Sequence, residues 1–140
     1  MPLARYYLVR RAYAAWQAGD LLAFGGYLAE DVTFSVPASS RPYVGTDRGR
    51  ATLVERLEAF LEVYDVVEFG IDNTLLLEDC VDCRVSYAYK SRACGLIIHG
   101  KQRHIWRVEG GQITSFDIAH DAQRLAAFFS LSEGRGAALY

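Results

Sequence analysis

The chain has 140 residues, a length suited to one domain, and folding at this size buries roughly two-thirds of the surface that the unfolded chain exposes. Hydrophobic residues make up 51% and charged residues 23%, which excludes a disordered acidic or basic tail protein. A net charge of -2, with 15 scattered Lys and Arg, gives no general attraction to phosphate, so nucleic acid is not an expected partner.

The amino end, "MPLARYYLVRRAYAAW", carries charges at helical spacing where a signal peptide would be apolar. No apolar run approaches the length needed to cross a bilayer, so no membrane association is expected and the default location is cytoplasmic. Cys80, Cys83 and Cys94 are odd in number and expected to stay reduced.

From Leu3 to Ala18 the apolar residues Leu8, Val9, Ala12, Tyr13 and Trp16 recur at steps of three and four, which predicts an amphipathic helix. Gly19 supplies a stop, and Asp20 is placed to cap a second short helix through Leu28. In "DVTFSVP" the residues Val32, Phe34 and Val36 alternate with polar ones, the period of a half-buried strand that Pro37 ends. The segment "ASSRPYVG" reads as loop, after which Thr46 or Asp47 caps a third helix whose buried stripe is Leu53, Leu57, Phe60, Leu61 and Tyr64.

Beyond Asp65 four strand-like runs follow, "VVEFGIDNTLLLE", "CVDCRVSYAYKS", "LIIHGKQRHIWRVE" and "QITSFDIAHD", separated by short turns. They imply an antiparallel meander. A helical turn from Ala122 to Phe129 closes a single domain over residues 1–130, with 131–140 as a tail. Helices first and strands afterwards argue for an α+β fold in which a curved antiparallel sheet packs on three N-terminal helices.

Alternation along the strands sorts their side chains. Cys83, Val85, Tyr87 and Tyr89 share one face; Gln102, His104, Trp106 and Val108 share another; Phe116, Ile118 and His120 a third, and all three sets are expected to face inward. Asp117 is expected to point outward. The aromatic supply, with Tyr13, Trp16, Phe34, Phe60, Tyr87, Tyr89, Trp106 and Phe116, exceeds what a minimal core needs, and such side chains line pockets for flat apolar ligands as well as packing cores. Together with Val36, Gln102 and Ile118 they form the expected lining of a pocket for a small apolar molecule.

The order helix, helix, strand, helix, four-strand meander resembles the nuclear transport factor 2-like superfamily over nearly the whole chain. The segments "RRAYAAWQAGDLLAFGGYLAEDVTF", "YVGTDRGRATLVERL" and "HIWRVEGGQITSFDIAHD" resemble signatures of its SnoaL-like polyketide cyclases and ketosteroid isomerases. The resemblance implies a cone-shaped fold around one apolar pocket, chemistry without a cofactor or metal, and a homodimer formed through the outer sheet face. The isomerase reaction needs an Asp base and an oxyanion hole of a Tyr and a protonated Asp. The matching positions here are Val36, Ala12 and His104, with Tyr13 adjacent to Ala12, so that specific activity is not expected.

His104 and His120 remain as candidate acid and base, since an unperturbed imidazole exchanges its proton near neutrality, with Tyr13 as a donor to a developing oxyanion. The expected function is therefore that of a small-molecule pocket protein, an isomerase, cyclase, dehydratase or hydrolase acting on an apolar carbonyl, polyketide or steroid-like compound. Its alternatives are a non-catalytic binder with the same pocket and a dimeric protein-interaction module. The pair Cys80 and Cys83 resembles half of a zinc site, but residues three apart on a strand point to opposite faces, so no metal is expected. Arg41, Arg48 and Arg50 stand near the expected open end, where they could meet an anionic group.

Overall fold

A computed structural model describes residues 2–36, 46–119 and 122–138, with Pro2, Ala122 and residues 133–138 as backbone alone. The expected loop at 38–45, Arg41 within it, Pro37, and His120 lie outside the described residues.

Helix α1 (Pro2–Gln17) turns Val9, Ala12 and Tyr13 into the core, with Leu8 and Trp16 packed at its margin. Gly19 adopts a φ of 73°, a left-handed conformation open to a residue without a Cβ, and the chain reverses there. Asp20 Oδ1 then accepts from the Ala23 N–H at 3.0 Å and starts α2 (Leu21–Gly26). This helix ends before Leu28, which belongs instead to strand β1 (Leu28–Ser35) and is fully buried there. Within β1 Val32 and Phe34 point to the core and Asp31 and Thr33 to solvent.

Thr46 and Asp47 do not cap the third helix. They form a short strand β2 (Thr46–Arg48) beside β1, and Asp47 is drawn into an ion pair with Arg56 at 2.6 Å. The residue before helix α3 (Arg50–Val63) is Gly49, whose φ of 105° sharply turns the chain from strand to helix. Leu53, Leu57 and Phe60 form the buried stripe of α3.

The meander is present as β3 (Tyr64–Leu76), β4 (Val81–Ser91), β5 (Ile97–Glu109) and β6 (Gln112–Ala119), each antiparallel to the next. The sheet is not wholly antiparallel, because β1 lies beside β6 and runs parallel to it, giving six strands in the order β2-β1-β6-β5-β4-β3. Alternation could not show this, since it sorts faces and not neighbours. Register shifts in β3 between Val66 and Glu68 and between Ile71 and Asn73 bend the sheet around the helices.

The inward faces fall as expected: Cys83, Val85, Tyr87 and Tyr89 on β4, Gln102, His104 and Trp106 on β5, and Phe116 on β6 are buried. Outward side chains pair with one another instead, Arg103 with Asp82 at 2.6 Å and Arg107 with Asp79 at 2.8 Å. The closing helix is longer than the expected turn. Helix α4 runs over Ala122–Ala138, because its first half docks on the core and supplies the nucleus from which the helix propagates through residues 130–138.

The core has two parts. One lies beneath α1, α2 and α3 and contains Tyr13, Phe24, Phe34, Trp106 and Phe116; the other brings Phe60, Tyr64, Tyr87 and Tyr89 against Leu125, Phe128 and Phe129 of α4. Gly100 continues the inward series Trp106, His104, Gln102 and makes room for the second part: a Cβ there would stand 2.7 Å from Tyr87 Oη and 2.9 Å from Arg124 Nη1. The Gly100→Ala variant should therefore lose about 1–3 kcal/mol through overpacking, seen as a lower urea midpoint with unchanged slope.

Candidate ligand-binding site

Three rings from two elements meet at the centre of the molecule. Trp106 Nε1 lies 3.0 Å from Tyr13 Oη, and Tyr13 Oη lies 2.8 Å from His104 Nδ1. An indole nitrogen can only donate, so Trp106 gives its proton to Tyr13 Oη; Gln102 Oε1 can only accept, which calls for the proton of the neutral His104 ring on Nε2 and makes Nδ1 the acceptor of the Tyr13 proton. His104 Nε2 thus donates to Gln102 Oε1 at 3.0 Å, and Gln102 Nε2 donates in turn to Tyr89 Oη at 3.2 Å. The chain of donors runs one way, from Trp106 to Tyr89.

The Tyr89 hydroxyl in turn donates to Gln102 Oε1 at 3.5 Å, the longest contact of the chain, to an oxygen that also receives the His104 N–H. A hydrogen bond at that separation is weak. The chain therefore ends at a buried hydroxyl whose own proton is weakly held.

A cavity of about 40 Å³ opens beside this chain, lined by Tyr13, Trp16, Phe24, Leu57, Phe69, Tyr89, Gln102, His104, Trp106, Phe116 and Ile118. No carboxylate or cationic group is among these lining residues. Packed rings occupy most of the space, with Trp106 stacked on Phe116 at 3.9 Å and Tyr13 edge-on to Trp106 at 5.1 Å.

Burial decides the charge of every titratable group here. His104 is only 3% exposed, and desolvation pushes its pKa down to about 3, which holds the ring neutral across the physiological range. Burial pushes the phenols of Tyr13 and Tyr89 upward, so both remain protonated donors. Burial also raises the Cys83 thiol, which removes thiolate reactivity.

The expected site is thus partly assembled. Tyr13, His104, Trp16, Tyr89, Gln102, Trp106, Phe116 and Ile118 come together as anticipated, whereas Phe34, Val36, Phe60 and Tyr87 are buried but do not line the cavity. Phe34 lies under the Arg56 guanidinium, Val36 packs in the first core, and Phe60 and Tyr87 belong to the second. Phe24, Leu57 and Phe69 join the lining unforeseen. Leu57 was legible as part of the α3 stripe, but Phe69 was not, because the β3 bulges reset which residues face inward.

Asp117 stays out of the cavity and accepts from Ser115 Oγ at 3.2 Å. His99 lies on the outer face, 3.9 Å from Glu68. Arg50 is held by the Leu28 carbonyl at 3.4 Å, and Arg48 lies exposed on β2. Cys80, Cys83 and Cys94 are free thiols, and among the described residues no three His, Cys, Asp or Glu side chains gather as metal ligands. Among the described residues no helix is long and apolar enough to cross a membrane.

Helices packed on a curved six-stranded sheet around a small apolar cavity define a nuclear transport factor 2-like protein. Residues 9–116 match the family model of the SnoaL-like domain, and the chain belongs to that family. Among solved structures it is similar to a nuclear transport factor 2-like protein of unknown function from Burkholderia pseudomallei, at 21% identity and TM-score 0.78 over 91% of this chain and 98% of that one. It is also similar to a candidate polyketide cyclase from Xanthomonas campestris, at 20% identity and TM-score 0.71 over 91% and 98%. A third is TerC co-crystallised with polyporic acid, at 19% identity and TM-score 0.74 over 93% and 98%. Among curated proteins none matches the sequence.

Two predictions follow from the neutral chain. Tyr13→Phe strands the Trp106 N–H and His104 Nδ1 and should cost about 2–4 kcal/mol in a denaturation experiment, while Tyr89→Phe at the open end should cost about 1 kcal/mol or less. Because the folded His104 pKa lies below the unfolded value, the unfolded chain binds the extra proton. The stability this contributes is complete above about pH 6.5 and is lost as the pH falls toward 3. Between about pH 7 and pH 4.5 the wild type should lose roughly 2–3 kcal/mol more than His104→Gln, measured as the difference between their urea curves.

Proposed function

We propose that this protein binds a small, neutral, apolar molecule carrying a hydrogen-bond acceptor such as a carbonyl oxygen, and that it holds this molecule without transforming it. The observation that carries the reading is the polarity of the buried chain. The links from Trp106 to Gln102 each donate to the next, and the chain ends at the hydroxyl of Tyr89, a residue that lines the cavity and whose own proton has only a long contact of 3.5 Å to Gln102 Oε1. A buried donor is best satisfied by an acceptor, and an uncharged lining favours an uncharged partner.

Turnover of the isomerase or cyclase kind needs a group that exchanges protons near the working pH. His104 has both nitrogens engaged and its pKa held near 3, and among the described residues, which do not include His120, the lining carries no carboxylate. A similar fold can take up a small molecule, since TerC was co-crystallised with polyporic acid.

Acetylnaphthalene, a flat neutral ketone, and isopropenylnaphthalene, its hydrocarbon isostere, make the test. Calorimetric titration should show the ketone bound more tightly than the hydrocarbon, and Tyr89→Phe should weaken the ketone about three- to tenfold while leaving the hydrocarbon unchanged, the value of one neutral hydrogen bond. Equal affinity for both compounds, indifference to Tyr89→Phe, or chemical conversion of a bound carbonyl compound would each overturn the reading.

A further inference from the structure

At about 40 Å³ the cavity admits the acceptor end of a ligand but not an aromatic body, since even benzene needs a cavity on the order of 150 Å³. Tyr89 leads to space that could hold one. Its hydroxyl closes the hydrogen-bonded chain, while its ring walls the second part of the core, 4.5 Å from the Tyr87 ring and edge-on to Phe60 at 4.9 Å. Tyr64 extends the same wall, 5.1 Å from Phe60.

This box of aromatic rings is filled from one side by α4. Phe128 and Phe129 lie 5.6 and 5.2 Å from Tyr64, Phe129 meets Phe60 edge-on at 6.1 Å, and Leu125 is buried beside them. The walls stand on α3, β3 and β4, which are tied by sheet pairing and core packing. The plug is tied differently: α4 contributes no strand, so its departure breaks no rung of the ladder. Its second half is a weak helix, with Gly134 and Gly136 in its interior, the Ser132 hydroxyl bonded back to the Phe128 carbonyl, and Leu131 60% exposed. Aromatic side chains inserted into an aromatic box also occupy the kind of space that a flat ligand would.

We propose that α4 is a displaceable plug, and that the chamber under it receives the flat, uncharged body of the ligand whose acceptor meets Tyr89, so that helix and ligand compete for one space. The proposal rests on the binding reading above. Competition of this kind lowers the observed affinity by the fraction of molecules in which the plug is out, and weakening the plug restores it.

The test uses the full chain and acetylnaphthalene. At saturation, amide hydrogen exchange over residues 123–132 should speed up about tenfold, because the docked helix is released. The Phe128→Ala/Phe129→Ala variant should bind the ketone about tenfold more tightly than wild type, with Leu125→Ala as a second variant should the first fail to fold. If wild type binds the ketone while α4 exchange is unchanged or slowed, or if the variants bind no more tightly, the plug is refuted and the binding reading stands. If neither wild type nor variants bind it, the binding reading fails and the plug falls with it.

Discussion

The contact between Trp106 and Tyr13 orders the rest of the site. An indole N–H can only donate and an amide oxygen can only accept, so Trp106 at one end and Gln102 Oε1 at the other fix the direction of the hydrogen bonds between them. With the His104 proton on Nε2 toward Gln102 and the ring neutral, Nδ1 is the acceptor and Tyr13 gives its proton to it. The polarity then passes through Gln102 to Tyr89. A histidine that looks catalytic in the sequence becomes a neutral link between two neighbours.

The sheet makes this possible because its inward positions fall every second residue. Gln102, His104 and Trp106 stand in a row on β5 beside Val85, Cys83 and Val81 of β4; Tyr13 reaches this row from α1, and Tyr89, further along β4, reaches Gln102 by its hydroxyl. The same burial that costs His104 its charge strengthens the hydrogen bonds around it, since an unpaired polar group in that environment would be expensive. Structure and chemistry are set by the same exclusion of water.

The second half of the core has a different character. Phe60, Tyr87 and Tyr89 form walls whose contents come from α4, the last element of the chain and one that adds nothing to the sheet. Two compartments thus share Tyr89, one with polar groups beside a small cavity, the other rich in aromatic rings and occupied by side chains of the protein itself. Such an arrangement links recognition at Tyr89 to the position of α4.

Periodicity in the sequence determined the helices α1 and α3, the strands of the meander, and which side chains of β4, β5 and β6 share a face. These are local properties: a strand alternates and a helix turns every 3.6 residues whatever surrounds them. Tertiary structure alone decided that β1 runs parallel to β6, that Thr46 and Asp47 pair as a strand instead of capping α3, and that Phe69 replaces Phe34 in the lining. It also decided that Phe60 and Tyr87 face α4 instead of a cavity, and that His104 is neutral. Each of these depends on which distant segment arrives as a neighbour and how much water it expels, and neither quantity is encoded in spacing along the chain.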